Sequence, residues 1–195
     1  MEKNLKLTKE EALQEIINDL AADKSLPLRE GAIKDVPGEG SASASLLFIG
    51  EGPGKEEDKQ GRPFCGSAGK FLDELLASID LKRGDVYITN VVKHRPPGNR
   101  DPKPEEIDAY WPYLKRQIDV IDPKIIIILG RHSMARLMPG LGTISQLHGH
   151  AFQKGNRTYM AQYHPAVALY NGSYRQILLD DFQKLKTLMK KLQIV

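Results

Sequence analysis

The chain has almost no cysteine: Cys65 stands alone in 195 residues. That excludes an internal disulfide, and with it any zinc or iron–sulfur site built from several thiolates. Long apolar runs are also missing, so no segment reaches the length of a membrane-spanning helix. The N-terminus, MEKNLKLTKEEAL, has no apolar stretch of the signal-peptide kind. Together these absences predict a cytoplasmic, intracellular protein. Net charge is small, at +3, although the sequence pI is about 8.8. Such a balance permits nucleic acid as a partner without demanding it. No internal repeat or low-complexity segment is present.

What is there suits one soluble domain spanning 1–195. Apolar residues make up 41% and charged residues 27%, ordinary values for a chain long enough to bury a core. Thr8 and Glu11 have capping-box spacing ahead of a stripe of Leu13, Ile16, Ile17 and Leu20, which predicts a helix to Ala22. Residues 23–45, rich in Gly, Pro and Ser, read as a long loop, so 1–45 is expected to pack as a helix and loop on the rest. Three β-branched runs, 46–50, 86–92 and 124–130, suit buried parallel strands. A weaker strand pair is expected at 144–152 and 157–162.

Helical patterns fill the gaps at 70–79, 104–121 and 174–192. Pro104 fits a first helical turn, whereas Pro112 is expected to kink or break that helix. Alternation of strand and helix predicts an α/β fold, a three-layer α/β/α sandwich around a mainly parallel four-stranded sheet. In such a sheet, sites form in the loops beyond the carboxyl ends of the strands. Here those are 50–69, 90–103, 130–143 and the run after Tyr163.

The first of these loops, GEGPGKEEDKQGRPFCGSAG, invites a phosphate-cradle reading, but its glycine and lysine spacing does not make a P-loop. Glu56 and Asp58 read as a solvated turn. Glu51 differs because it follows a buried strand directly, where a carboxylate can orient water or face positive charge. Glu57 fits either reading. Phe64 suits a core anchor and a ligand platform equally. Asn90 could cap a turn or pair with a donor and an acceptor on a planar heterocycle. His164 could be purely structural, and Cys65 a small packing residue. Lys93, Arg95 and Arg100 in KHRPPGNR could be solvated charge or phosphate contacts.

Three segments, GEGPGKEEDKQGRPFCGSAGKFLDELL, TNVVKHRPPGNRDPKPEEI and YHPAVALYNGSYR, together resemble family 4 of the uracil-DNA glycosylase superfamily, in order and spacing. The resemblance implies an enzyme that flips deoxyuridine out of DNA and hydrolyses its glycosidic bond. Its partner would be uracil-containing single- or double-stranded DNA, its products free uracil and an abasic site, and it would act as a monomer. Phe64 would stack on the uracil and Asn90 would bond its Watson–Crick edge. His164 and the Gly52 amide would bond O2, and Glu57 would obstruct a thymine methyl. Glu51 would position or activate the attacking water.

Ser67, Gly69, Lys93, Arg95, Asn99 and Arg100 would contact DNA or support the pocket. The loop from Ala166 through Leu169 to Tyr170 would enter the gap left by the flipped nucleotide. Members of that family usually carry a four-cysteine 4Fe-4S cluster. The matching positions here are Asp23, Leu26, His94 and Tyr110, so neither that cluster nor another cofactor or metal is expected. Packing and hydrogen bonds would take its place as a clamp, with Tyr110 and Leu26 filling the space. Two other functions fit the same residues: a non-catalytic binder of deaminated or abasic DNA, and a glycosylase for hypoxanthine or xanthine.

Overall fold

A computed structural model describes residues 7–194. Six strands, β1 (Glu39–Gly40), β2 (Leu46–Gly50), β3 (Tyr87–Asn90), β4 (Ile125–Leu129), β5 (Ala151–Lys154) and β6 (Arg157–Gln162), form one sheet ordered β1-β3-β2-β4-β6-β5. The expected four parallel strands are its centre, β3-β2-β4-β6. Two antiparallel edges, β1 and β5, enlarge it to six. The two-residue edge β1 is the Glu-Gly of a segment with no strand pattern, which is why it is silent in the sequence.

The centre is apolar on both faces because each is covered by helices. On one side, Phe48, Ile88, Ile127 and Met160 meet α3 (Ser67–Ala77) and α8 (Ser173–Lys191) through residues such as Leu72, Leu75, Phe182 and Leu185. On the other, Leu47, Ile49, Ile126 and Ile128 meet α1 (Lys9–Ala22), α4 (Pro104–Ile121) and α5 (Arg131–Leu137). This is the three-layer arrangement that alternation predicts. Thr8 caps α1 through the expected box with Glu11.

A break at Pro112 and a strand over 144–147 are both corrected, for identifiable reasons. Pro112 neither breaks nor ends α4, which runs unbroken through it. Both Pro112 and Asp108, whose carbonyl loses its donor, lie on the exposed side, where water can supply the missing bond. Residues Ile144–Leu147 form a short helix, α6, instead of a strand. Thr143 and Gln146 make a capping box there, and only from Ala151 does pairing with β6 begin. The remaining short helices, α2 (Lys55–Gln60) and α7 (Val167–Tyr170), sit in the loops at the carboxyl edge.

Candidate active site

Two residues beyond the Phe48–Ile88–Ile127–Met160 row, on the same face, come Gly50, Asn90, Leu129 and Gln162, the last residues of the four central strands. Gly50 pairs with Asn90. A Cβ placed on Gly50 would lie 2.4 Å from Asn90 Oδ1, 2.7 Å from Phe64 Cζ and 2.8 Å from its Cε2. Amide and ring therefore converge on one point, which a side chain on Gly50 would fill. Asn90 is 1% exposed, and its Oδ1 has no hydrogen-bond partner among the described residues.

Phe64 fits the core-anchor reading, with one further contact at the site. It is buried within the core cluster of α3 and α8, yet stacks on His164 at a ring separation of 5.3 Å and 27°. Its backbone is held at φ +50°, a strained value for a bulky residue. Two features keep it there. Arg83 donates Nη1 to the Phe64 carbonyl at 3.2 Å and Nη2 to the Pro63 carbonyl at 2.7 Å. Its Nε binds Glu39 at 2.8 Å, and Nη1 also binds Asp73 at 2.9 Å. Gly69 in α3 lets the loop close over the helix, since a Cβ there would stand 1.7 Å from the Phe64 carbonyl oxygen. Of the two, Gly69 is expected from the resemblance to contact DNA or support the pocket, whereas Arg83 cannot be read from local sequence, because its partners Glu39, Pro63, Phe64 and Asp73 come from distant segments.

His164 is partly buried. Its Nδ1 accepts the Ala166 N–H at 3.2 Å. Burial pulls its pKa below the ordinary histidine value, against the opposing pull of Glu51 and Glu57. The neutral ring with Nδ1 occupied as an acceptor must carry its proton on Nε2. Glu51 approaches from the neighbouring strand: a Cβ on Gly130 would lie 2.5 Å from Glu51 Oε1 and 3.3 Å from His164 Cβ. Gly130 sits at φ +94°, so glycine is required there on both counts. Glu51 Oε1 accepts the His132 N–H at 3.2 Å.

Glu51, Asp101 and His132 bring one ligand atom each within 4.8 Å of one another. Arg131 already places its guanidinium 2.5 Å from Asp101 Oδ2, where a cation would otherwise sit. Glu57 Oε1 accepts the Gly66 N–H at 3.2 Å, and Gly52 packs against Val92.

The second loop departs most from expectation. Lys93 is fully buried, and cannot reach DNA. A lysine stem beside prolines gives no sign in the sequence of which way it points. Arg100 is engaged by both oxygens of Glu106, and Arg95 by Asn99 Oδ1 at 2.7 Å. Asn99 and Ser67 are exposed, as is Leu169 at 52%. Tyr170 beside Leu169 is 91% exposed, making an apolar knob at the tip of α7, while Ala166 caps that helix. Asp58, read as solvated, is instead 1% exposed and accepts the Ile33 N–H at 2.8 Å.

The four cluster positions do not offer a metal-binding set. Tyr110 OH and His94 Nδ1 are hydrogen-bonded at 2.8 Å, and both residues are buried. Leu26 packs with Tyr110, Leu20, Leu28 and Val92 in one apolar cluster. Asp23 accepts Tyr113 OH at 2.7 Å and Ser25 Oγ at 2.6 Å. None of the four positions that the resemblance matches to cluster ligands is a cysteine, and Leu26 has no ligand atom to offer a metal.

A family model described as "Uracil DNA glycosylase superfamily" matches residues 37–192. The chain is 44% identical over 187 residues to a type-4 uracil-DNA glycosylase of Sulfurisphaera tokodaii, covering 91% of this chain and 85% of that one. It is 42% identical to the type-4 enzyme of Archaeoglobus fulgidus, covering 94% and 96%. With the type-4 enzyme of Thermotoga maritima the identity is 39%, covering 94% and 98%.

Proposed function

The chain belongs to the uracil DNA glycosylase superfamily, and we propose that it hydrolyses the N-glycosidic bond of deoxyuridine in single- or double-stranded DNA, releasing uracil and leaving an abasic site. The observation that carries this reading is the unpartnered Asn90 oxygen. A buried acceptor left unsatisfied costs about 1–3 kcal/mol. Uracil N3–H, presented by a base lying against Phe64, would satisfy it, while the Asn90 amide N–H would meet O4. Cytosine presents an acceptor at N3 and a donor at C4, the reverse pattern.

The base must first leave the duplex, at a cost of about a few kcal/mol, of which stacking on Phe64 would return roughly 1–3. Breaking N1–C1′ leaves negative charge on the pyrimidine and cationic character on the sugar. His164, neutral and with its proton on Nε2, would donate to O2 as the charge grows there, together with the Gly52 amide. Glu51, steadied by the His132 N–H, would face the sugar and aim a water at C1′; the water oxygen bonds to carbon and its proton passes to the carboxylate. No step requires a cofactor. Glu57, braced across Gly54 and Gly66, would narrow the space beside uracil C5. Leu169 and Tyr170 would enter the vacated stack, with Arg95, Asn99 and Ser67 along the strand, while buried Gly69 would support the pocket from beneath Phe64.

An oligonucleotide with one uracil, incubated with the protein and then cleaved by alkali, tests this directly. Strand scission at the uracil is expected, with none at cytosine or thymine in its place. Tight binding to an abasic site without any release would favour a non-catalytic binder.

A further inference from the structure

Lys93 lies wholly inside the protein, behind the strand end that carries Asn90. Its Nζ donates to Thr89 Oγ1 at 2.6 Å, to the Asn90 carbonyl at 2.8 Å and to Gln117 Oε1 at 2.7 Å. An ammonium has three N–H donors, and each meets an acceptor. Because the Thr89 hydroxyl already gives its proton to the Pro37 carbonyl, a neutral amine would leave one of those acceptors facing its lone pair. The pocket thus suits the charged form, even though burial drives the lysine pKa well below its usual value. All three partners are neutral. A buried charge held only by dipoles is expensive, and a methionine of similar volume would fill the space without that cost.

The surrounding bonds are equally specific. Pro37 O accepts both Thr89 Oγ1 at 2.7 Å and Gln117 Nε2 at 2.9 Å, and the Val36 N–H binds the Lys93 carbonyl at 2.8 Å. The Lys93 Nζ is therefore fixed directly from α4 and β3, and the segment before β1 holds the two side chains it donates to and the Lys93 carbonyl. Asn90 and Thr89 are neighbours on a strand, so their side chains point to opposite faces. The amide faces Phe64, and the ammonium lies just across the sheet on the α4 side.

We propose that Lys93 is a positioning residue for departure of the base, holding the Asn90 main chain in register and setting an ammonium unmatched by any carboxylate among its partners behind the pyrimidine that leaves as an anion. In an interior without water to screen it, such a charge is felt across the thickness of one sheet. The inference rests on the glycosylase reading above.

Single-turnover excision of uracil and of 5-fluorouracil from matched oligonucleotides tests it, alongside affinity for abasic DNA. Fluorine stabilises the departing anion, so 5-fluorouracil needs less help from the protein. Lys93→Met is expected to slow uracil release about 10- to 100-fold, to slow 5-fluorouracil release markedly less, and to keep abasic-DNA affinity within about twofold. Equal slowing of both bases would reduce Lys93 to a structural prop and overturn the proposal. So would an unchanged rate, or a loss confined to abasic-DNA affinity.

Should Lys93→Met fail to fold, Gln117→Glu decides: it sets a carboxylate beside Nζ and neutralises the charge while keeping that hydrogen bond. It does so at the cost of the Gln117 bond to Pro37 O, so the comparison between the two bases is what reads the charge. Slower uracil release with a smaller effect on 5-fluorouracil supports the proposal, and an unchanged uracil rate refutes it. Failure of the wild-type protein to release either base would strike the glycosylase reading itself.

Discussion

Removing one oxygen from Tyr110 isolates the bond that ties the 90–103 loop to α4 beside the N-terminal segment. In Tyr110→Phe the ring and its packing against Leu20, Leu26, Leu28 and Val92 stay, but His94 Nδ1 loses its partner at 2.8 Å. His94 is 2% exposed, so water cannot replace the lost bond. An unsatisfied buried group costs about 1–3 kcal/mol. For a domain of this size each kcal/mol moves Tm by about 2–4 °C, so the variant should melt about 2–12 °C lower. Replacing both partners by apolar groups removes the orphan as well as the bond. Tyr110→Phe/His94→Leu should therefore recover most of the loss, giving a coupling in the double-mutant cycle of about 1 kcal/mol or more. Thermal melts and urea titrations of the four proteins measure it, with metal analysis of each preparation. A Tyr110→Phe protein as stable as wild type, or stoichiometric iron in the purified wild type, would refute this account of the clamp.

The catalytic assignments predict large losses without unfolding. Glu51→Gln and His164→Ala should each slow uracil release about 100-fold or more, with Tm little changed; normal turnover in both would remove their roles. Arg83→Lys keeps the charge but cannot grip the Phe64 and Pro63 carbonyls together with Glu39 and Asp73. It should slow single-turnover release about tenfold through a misplaced ring, while abasic-DNA affinity stays near wild type; equal loss of both would make Arg83 a general structural support. Acid should also weaken the fold. Burial depresses the pKa of His94 and of His164 below 6.5, so the unfolded chain binds more protons than the folded one as pH falls through 6.5. The stabilisation is present above that value and is lost below it, and urea midpoints at about pH 8 and about pH 5 should show the drop. His94→Leu should flatten part of that slope.

Period and punctuation made the centre of this protein legible, and the site's edges illegible. Buried β-branched runs announce β2, β3 and β4 because both faces of a covered parallel sheet are apolar. The capping box of Thr8 likewise announces α1. The same signal at Thr143 and Gln146 marks α6, but the apolar residues nearby read more readily as a strand. Glu51 stands out by its place after a strand, while Asn90, Phe64 and His164 are joined to it only by the family resemblance; the structure puts Asn90 and Phe64 at Gly50 and Glu51 and His164 at Gly130. Lys93 is not, because the direction of a long side chain is set by what α4 offers it. Gln117, the acceptor that draws it inward, is 24 residues away. Asp58 fails in the same way, since the backbone N–H groups it satisfies belong to Ile33 and Lys34.

Long-range bonds of this kind also gather on the five residues 90–94. Asn90 offers its amide to the base site, Lys93 secures the Asn90 carbonyl, and His94 joins the Tyr110 plug. The segment before β1 is stitched to the same run through Val36 and Pro37. Strand end, buried lysine and clamp therefore form one continuous polar and apolar seam. A change in the clamp has a short path to the base-binding amide: His94 moves, then the Lys93 main chain, then Asn90. Loss of the Tyr110 hydroxyl should accordingly slow base release as well as lower Tm. A variant that melts early yet turns over at the wild-type rate would show that the seam transmits stability without transmitting position.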